Sequence, residues 1–145
     1  MHIVCSDLEG VFVPEIWINV AERTGIDALR LTTRDISDYD VLMKRRLSIL
    51  AANGLKLKDI TDVIATMEPL PGAREFLDGL RVRTQVIIVS DTYVEFARPL
   101  MEKLGWPTLL CHSLTIGDNG AIAGYTLRQK DGQRKVVQEI GRAHV

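Results

Sequence analysis

Residues 3–11 read Ile-Val-Cys-Ser-Asp-Leu-Glu-Gly-Val, and this stretch decides the predicted fold. The apolar run from Ile3 to Cys5 is typical of a buried β-strand, and two acids, Asp7 and Glu9, follow it. Alternate residues of an extended chain lie on the same side, so both carboxyl groups can reach one site. Gly10 then permits a tight turn. Paired acids at a strand end indicate a catalytic carboxylate site or, in the simpler interpretation, a polar turn.

The composition of the 145 residues predicts one domain, or one core with a modest insertion. A hydrophobic content of 46% supports a packed core, and a net charge of −1 gives no reason to expect nucleic acid as a partner. The short run Lys44-Arg45-Arg46 lies within a helical pattern and does not form a basic stripe. The longest aliphatic run, Val86 to Val89, is too short to span a membrane, so no membrane association is expected.

The cysteines and the amino-terminal sequence favour a cytoplasmic location. Cys5 and Cys111 both lie in apolar, strand-like runs, which is typical of buried, reduced thiols. The first residues, Met1 and His2, lead directly into the strand without a secretory signal pattern. The three histidines share no metal-ligand spacing, so we do not expect a zinc site.

Apolar periodicity predicts helices directly after the first strand and an alternation of strands and helices after that. The three predicted helices of the first part lie between Pro14 and Glu68, with breaks at Gly25 and Asn53-Gly54 and an end before Pro69. The later predicted elements are a helix from Pro71-Gly72, a strand over Gln85–Val89, a helix to Leu104, a short strand over Leu109–Cys111, a hairpin around residues 117–120 and a helix from about Gln133.

This alternation predicts an α/β fold with a parallel sheet and helices packed against it. In such sheets, ligands bind beyond the carboxyl ends of the strands. Asp7 and Glu9 follow the first predicted strand, and Ser90 and Asp91 follow the second. We therefore expect these four residues to share one site. An alternative function for the Ser90-Asp91-Thr92 segment is helix capping, for which all three residue types are suited.

The four residues together suit phosphoryl transfer through an aspartyl-phosphate. Asp7 would attack phosphorus, and Glu9 would protonate the leaving group and then activate water. Ser90 and the amide of Asp91 would bind the non-bridging phosphate oxygens. Mg²⁺, held by Asp7 and the main-chain carbonyl of Glu9, would neutralise the phosphate.

The sequence resembles the haloacid dehalogenase (HAD) superfamily, with Asp7-Leu8-Glu9-Gly10-Val11 as its first motif and Val89-Ser90-Asp91 as its second. More narrowly, Val13-Pro14-Glu15-Ile16-Trp17-Ile18 resembles the bifunctional phosphoserine phosphatase/homoserine phosphotransferase branch, which carries Glu at the second acid. The resemblance implies a Rossmann-like, three-layer parallel sheet over residues 1–13 and 69–145. It also implies a helical cap over residues 14–68.

This resemblance implies a phosphoserine phosphatase of serine biosynthesis, with possible phosphate transfer to homoserine. Glu15 would bind the substrate ammonium and Arg46 its carboxylate. From the residues alone, Glu15 is interpreted as an acid in the first turn of a helix, and the alternative for Arg46 is a side chain lying over the core of the cap.

Two departures from the superfamily pattern lower the expected activity. The lysine of the third motif aligns with Gln133, although Lys130 and Lys135 lie close in sequence. The fourth motif, a Gly-Asp pair followed by further acids, has no counterpart. The polar tail over residues 140–145 also departs from the preceding helical period. We therefore expect an amino-terminal portion of the enzyme with little or no activity, in which the first strand lies at a sheet edge.

Two further functions stay open at this point. One is a HAD phosphatase for another small phosphomonoester, and the other is a phospho-accepting receiver domain, which lacks a long helical insertion after its first strand. The sequence does not determine the oligomeric state or the balance between hydrolysis and phosphate transfer.

Overall fold

The chain is described by a computed structural model that covers residues 2–128, 130 and 132–142. Its strands are β1 (Ile3–Ser6), β2 (Gln85–Tyr93), β3 (Thr108–Ile116) and β4 (Ile122–Thr126). Its α-helices are α1 (Ile16–Thr24), α2 (Tyr39–Ala52), α3 (Leu57–Ala65), α4 (Ala73–Arg81), α5 (Val94–Lys103) and α6 (Gly132–Arg142). A short 3-10 helix spans Asp27–Arg30. The prediction for the last residues of the tail, 143–145, lies outside the described residues.

The four strands form one mostly parallel sheet in the order β1-β2-β3-β4. The pairs β1–β2 and β2–β3 are parallel, and β4 returns antiparallel to β3. The α/β fold with a mostly parallel sheet, expected from the sequence, is therefore confirmed. Within the described residues, β1 pairs with β2 alone, so it lies at the edge of the sheet as expected.

Several helix boundaries follow from local chemistry. The side chain of Asp38 accepts a hydrogen bond from the amide of Val41 at 3.1 Å, which caps α2. Gly25 and Gly105 adopt left-handed φ values of 71° and 74° after α1 and α5, where a side chain would be strained. Helix α1 begins at Ile16 instead of Pro14, which leaves Glu15 at the amino-cap position.

Two strand predictions are wrong in extent. The predicted short strand over Leu109–Cys111 and the first arm of the hairpin form one continuous strand, β3, because its first half pairs with β2 and its second half with β4. Strand β2 continues to Tyr93, beyond the predicted end at Val89. The three residues Ser90 to Thr92 therefore lie in the strand, and helix α5 begins only at Val94 without a side-chain cap. Helix capping by this segment is excluded.

A bulge interrupts β2 at the second motif, Val89-Ser90-Asp91. Val89 pairs with Leu110 and Tyr93 with His112, so the three residues between them in β2 face a single residue of β3. Such an excess bends a strand and redirects its side chains. The apolar part of β2 ends at this bulge. Ile88 and Val89, which precede it, are buried core residues.

The buried apolar residues form one continuous core that joins the helices α1–α3 to the sheet. Its largest fully buried members include Phe12 after β1, Ile16 in α1, Ile60 and Ile64 in α3, and Phe96 in α5. Burial of this apolar surface is the main favourable contribution to folding. Because the core is shared, the turn after β1 is held against both α1 and the rest of the sheet. No helix of the described residues is both long enough and apolar enough to cross a membrane.

Candidate active site

One cleft brings together all six residues that the sequence singles out. Its polar lining comprises Asp7, Glu9, Glu15, Arg46, Ser90, Asp91, Thr92 and Gln133. Trp17, Ile18, Tyr39 and Leu42 from α1 and α2 line it as well, together with Thr32 and Thr33. The cleft lies at the carboxyl ends of β1 and β2 under the helices α1 and α2. The parallel pairing of β1 with β2 explains this convergence, because it aligns the ends from which the two motifs extend.

The turn after β1 holds Asp7 at the floor of the cleft. The carbonyl of Leu8 accepts hydrogen bonds from the amides of Phe12 and Val13 at 2.9 and 3.2 Å, and Gly10 adopts a left-handed φ of 76°. Asp7 Oδ1 accepts the amide of Leu8 at 2.7 Å. These bonds give the side chain of Asp7 a defined direction within the turn.

Gln133, at the start of α6, is the second donor to Asp7. Its Nε2 lies 3.1 Å from Asp7 Oδ1. Burial raises the pKa of Asp7, and the hydrogen bonds from Leu8 and Gln133 only partly oppose that effect. Neither Lys130 nor Lys135 is among the described residues that line the cleft. The position expected for the lysine of the third motif is thus occupied by a neutral amide donor.

Glu9 has the most strongly perturbed carboxyl group of the cleft. Burial raises its pKa from an ordinary value of 4.5 to about 8, and the neighbouring carboxyl of Glu15 contributes in the same direction. Arg46 opposes the increase without cancelling it. Glu9 therefore holds a proton near neutral pH, which suits a general acid.

Arg46 projects from α2 into the cleft and is buried, with 6% of its surface exposed. Its guanidinium carbon lies 4.5 Å from the ring centroid of Trp17, and Nη2 donates to the carbonyl of Leu31 at 2.7 Å. Its Nε is buried and has no hydrogen-bond partner among the described residues. A buried donor without a partner is costly, so this side chain is suited to a ligand that supplies an acceptor. Its Nη1 lies 3.7 Å from the sulfur of Met43, so the side chain also packs against apolar residues of α1 and α2.

The bulge of β2 forms another part of the cleft wall. Ser90 is buried, and its Oγ accepts the amide of Thr92 at 3.2 Å. The carbonyl of Asp91 accepts the hydroxyl of Tyr39 at 2.9 Å, and the side chain of Asp91 contacts His112. The bulge therefore presents a serine hydroxyl and an acid to the cleft and connects them to α2.

Two contributors were not identified as site residues from the sequence. Tyr39 donates to the carbonyl of Asp91, and its hydroxyl lies 2.6 Å from that of Tyr93. His112, which lacks any ligand spacing with the other histidines, bonds to Asp91 from β3. Both contacts join residues 21 or more positions apart, so no local pattern could have indicated them.

The comparisons with known proteins agree with this arrangement. The chain is 65% identical over 137 residues to the phosphoserine phosphatase ThrH of Pseudomonas aeruginosa, covering 94% of this chain and 67% of that protein. It is 61% identical to a phosphoserine phosphatase of Pseudomonas syringae pv. tomato, covering 94% of this chain and 58% of that protein. No family profile matches the chain. In both comparisons a substantial part of the relative lies beyond the match, and the match is to its amino-terminal portion.

Solved structures share the fold at lower sequence identity. A phosphoserine phosphatase in its apo form has a TM-score of 0.74 and 18% identity, with 98% of this chain and 70% of that chain covered. A phospho-aspartyl intermediate analogue of phosphoserine phosphatase has a TM-score of 0.74 and 17% identity, with 98% and 71% covered. Together with the close relatives, these similarities establish the class: the chain belongs to the phosphoserine phosphatase family of the haloacid dehalogenase superfamily. The resemblance drawn from the two motifs is confirmed.

Proposed function

We propose that this chain carries the substrate site of a Mg²⁺-dependent phosphatase that hydrolyses phosphoserine through an aspartyl-phosphate. The observation that carries the proposal is the shared cleft. It is lined by Asp7 and Ser90 from the ends of β1 and β2, and by Glu15 and Arg46 from the start of α1 and from α2. Phosphoserine has a phosphate at one end and an ammonium and a carboxylate at the other. The cleft offers a chemically matching group for each of these three.

At the phosphate end, Asp7 would act as the nucleophile. Its carboxylate oxygen forms a bond to phosphorus while the bond from phosphorus to the serine oxygen breaks. Glu9 would donate its proton to that leaving oxygen and would then take a proton from the water that hydrolyses the aspartyl-phosphate. The raised pKa of Glu9 supports the first of these roles, because a protonated carboxyl is available near neutral pH. Ser90 would donate a hydrogen bond to a phosphate oxygen.

At the amino-acid end, Glu15 and Arg46 would bind the ammonium and the carboxylate. Glu15 occupies the amino-cap position of α1 without making a capping hydrogen bond, so its side chain is not used by the helix. Arg46 has an unsatisfied buried Nε, and a carboxylate is the ligand that a guanidinium binds in a paired geometry. The stacking on Trp17 would hold the guanidinium plane in place.

The oxygens at the end of β1 fit Mg²⁺ in kind. Asp7 provides a carboxylate and Glu9 a main-chain carbonyl, and Mg²⁺ is commonly bound by one or two carboxylates, with water and phosphate oxygens completing its shell. Among the described residues, no cluster of three or more His, Cys, Asp or Glu side chains is arranged to hold a metal. When bound, the ion supplies positive charge that offsets the charge of the phosphate oxygens. With two protein ligands, we expect weak Mg²⁺ binding.

We also propose that residues 14–68 form a cap over a core made of residues 1–13 and 69–145. Two hydrogen bonds would hold such a cap against the core. One runs from the hydroxyl of Tyr39 to the bulge of β2, and the other from the amide of Leu57 to the carbonyl of Gly120 at 3.0 Å. A closed cap excludes water, so the balance between hydrolysis and phosphate transfer to homoserine depends on whether an alcohol reaches the aspartyl-phosphate.

A panel of phosphomonoesters tests the substrate assignment. Phosphate release is measured from phosphoserine and from p-nitrophenyl phosphate, with Mg²⁺ and with a chelator, for the parent and for Arg46→Ala. The proposal predicts Mg²⁺-dependent release that favours phosphoserine, and a loss in Arg46→Ala confined to the amino-acid substrate. Equal losses for both substrates would favour a phosphatase for another small phosphomonoester. Added homoserine, followed by detection of phosphohomoserine, tests the transfer reaction.

A further inference from the structure

His112 is a buried histidine of β3, with 3% of its surface exposed, and the steps proposed above do not use it. Its ring lies near those of both Tyr39 and Tyr93, with centroid separations of 6.0 and 6.1 Å. Nδ1 accepts the amide N–H of Arg128 at 3.0 Å, so this nitrogen carries no proton. The proton of the neutral ring is therefore on Nε2, and Nε2 lies 3.2 Å from Asp91 Oδ1.

Asp91 is held at two points of the bulge. Its side chain accepts from His112, and its main-chain carbonyl accepts from the hydroxyl of Tyr39 at 2.9 Å. The Tyr39 hydroxyl in turn accepts from that of Tyr93, since its own proton is used on Asp91. A side chain and a main-chain atom of the same residue are thus fixed from β3 and from α2. This is more restraint than a half-exposed surface acid receives in general.

The charge of Asp91 matters because of where the residue lies. Asp91 lines the cleft next to Ser90, and its side chain is 48% exposed. Its charge is close enough to contribute to the raised pKa of Asp7. Three other acids, Asp7, Glu9 and Glu15, line the same cleft, against one arginine among its described lining residues. A phosphate entering this cleft meets an excess of negative charge. The position of each carboxylate therefore affects how well the phosphate binds.

We propose that His112 is a positioning residue that holds the Asp91 carboxylate toward β3 and away from the phosphate position. The inference rests on the proposed function, which places the phosphate beside Ser90. The neutral Nε2–H directs the carboxylate without adding a charge, and the bond from Arg128 keeps that proton on Nε2. Without this donor, the Asp91 side chain can rotate into the cleft, where it repels the phosphate.

The test measures the dissociation constant of inorganic phosphate, in the presence of Mg²⁺, for the parent and four variants. His112→Phe keeps an aromatic ring beside the two tyrosines but removes the donor, and His112→Gln restores a donor at the place of Nε2. Asp91→Asn removes the charge but keeps an acceptor, and the fourth variant combines Asp91→Asn with His112→Phe. Circular dichroism establishes that each chain is folded. If His112→Phe is not folded, His112→Met replaces it in both backgrounds.

The expected result is a weakening of phosphate binding in His112→Phe by roughly fivefold to tenfold. This is the effect expected when one negative charge approaches the phosphate in a cleft that is open to water. His112→Gln binds within about twofold of the parent, and the double variant binds within about twofold of Asp91→Asn. Unchanged binding in His112→Phe overturns the inference. A loss of phosphate affinity on His112→Phe that persists in the Asp91→Asn background also overturns it, because such a loss indicates a purely structural role for His112. If none of the chains binds phosphate, both the inference and the proposed function are wrong.

Discussion

The raised pKa of Glu9 predicts that the chain loses stability as the pH rises, in the absence of metal. Glu9 has a folded pKa of about 8 and an ordinary value of 4.5, because the carboxyl is buried beside Glu15. Between these values the folded chain holds a proton that the unfolded chain has lost. The stabilising contribution is therefore complete below the unfolded pKa and is lost as the pH rises through the folded pKa.

The size of the effect follows from the shift. Each pKa unit corresponds to about 1.4 kcal/mol, so the free energy of unfolding should fall by about 3 to 4 kcal/mol between about pH 5 and about pH 8. This is a large part of the stability of an ordinary domain. The raised pKa of Asp7 acts in the same direction, so the contribution of Glu9 is isolated as the difference between the parent and Glu9→Gln.

The assay is urea unfolding with a chelator at a series of pH values, for the parent, Glu9→Gln and Glu15→Gln. Glu9→Gln replaces the protonated acid by a neutral amide, so its stability should depend less steeply on pH than that of the parent. Glu15→Gln removes a neighbouring acid, so the pKa of Glu9 should fall and the loss of stability should occur at lower pH. Parallel curves for the parent and Glu9→Gln would refute the reasoning.

Three further outcomes are expected. Gln133→Lys should raise phosphate release about tenfold, because a charge-assisted hydrogen bond to Asp7 replaces a neutral one. Gln133→Met should lower the release, because it removes the donor. A decrease in the lysine variant would contradict the assignment of Gln133 to the position of the third-motif lysine. Arg46→Lys should raise the KM for phosphoserine by roughly tenfold while leaving p-nitrophenyl phosphate nearly unaffected, because the charge stays but the paired geometry is lost; equal effects on both would count against carboxylate binding. A thiol reagent should modify Cys5 much faster than Cys111 in the native chain, since burial raises the pKa of Cys111 to about 11; equal rates measured by mass spectrometry would contradict that burial.

The helices and strands could be predicted from the sequence because they depend on the short-range spacing of apolar residues. The place of the cleft could be predicted because parallel sheets bind ligands at the carboxyl ends of their strands. The acids after β1 and the Ser90-Asp91 pair in the last part of β2 could be assigned to one site, since parallel strands align their carboxyl ends. The helices between residues 14 and 68 were recognisable from apolar spacing and glycine stops.

The details that shape the cleft could not be predicted in this way. The bulge of β2 depends on its register with β3, which is set by long-range pairing and not by the local residues. Ser90 and Asp91 have the composition of a helix cap, and only that pairing keeps them in a strand. The contacts of His112 with Asp91 and of Arg46 with Trp17 likewise join distant parts of the chain, where residue type alone gives no direction.

The central claim, that Asp7 is a phosphate-accepting nucleophile, is tested most directly by phosphate release from phosphoserine. The parent and Asp7→Asn are incubated with phosphoserine and Mg²⁺, release is followed over time, and acid-quenched protein is examined by mass spectrometry. Asp7→Asn keeps the size of the side chain and an acceptor for the amide of Leu8. The account predicts slow, Mg²⁺-dependent release by the parent, with a phosphoryl group on the peptide that contains Asp7, and neither in Asp7→Asn. Comparable release by Asp7→Asn, or a phosphoryl group on another residue, would contradict it.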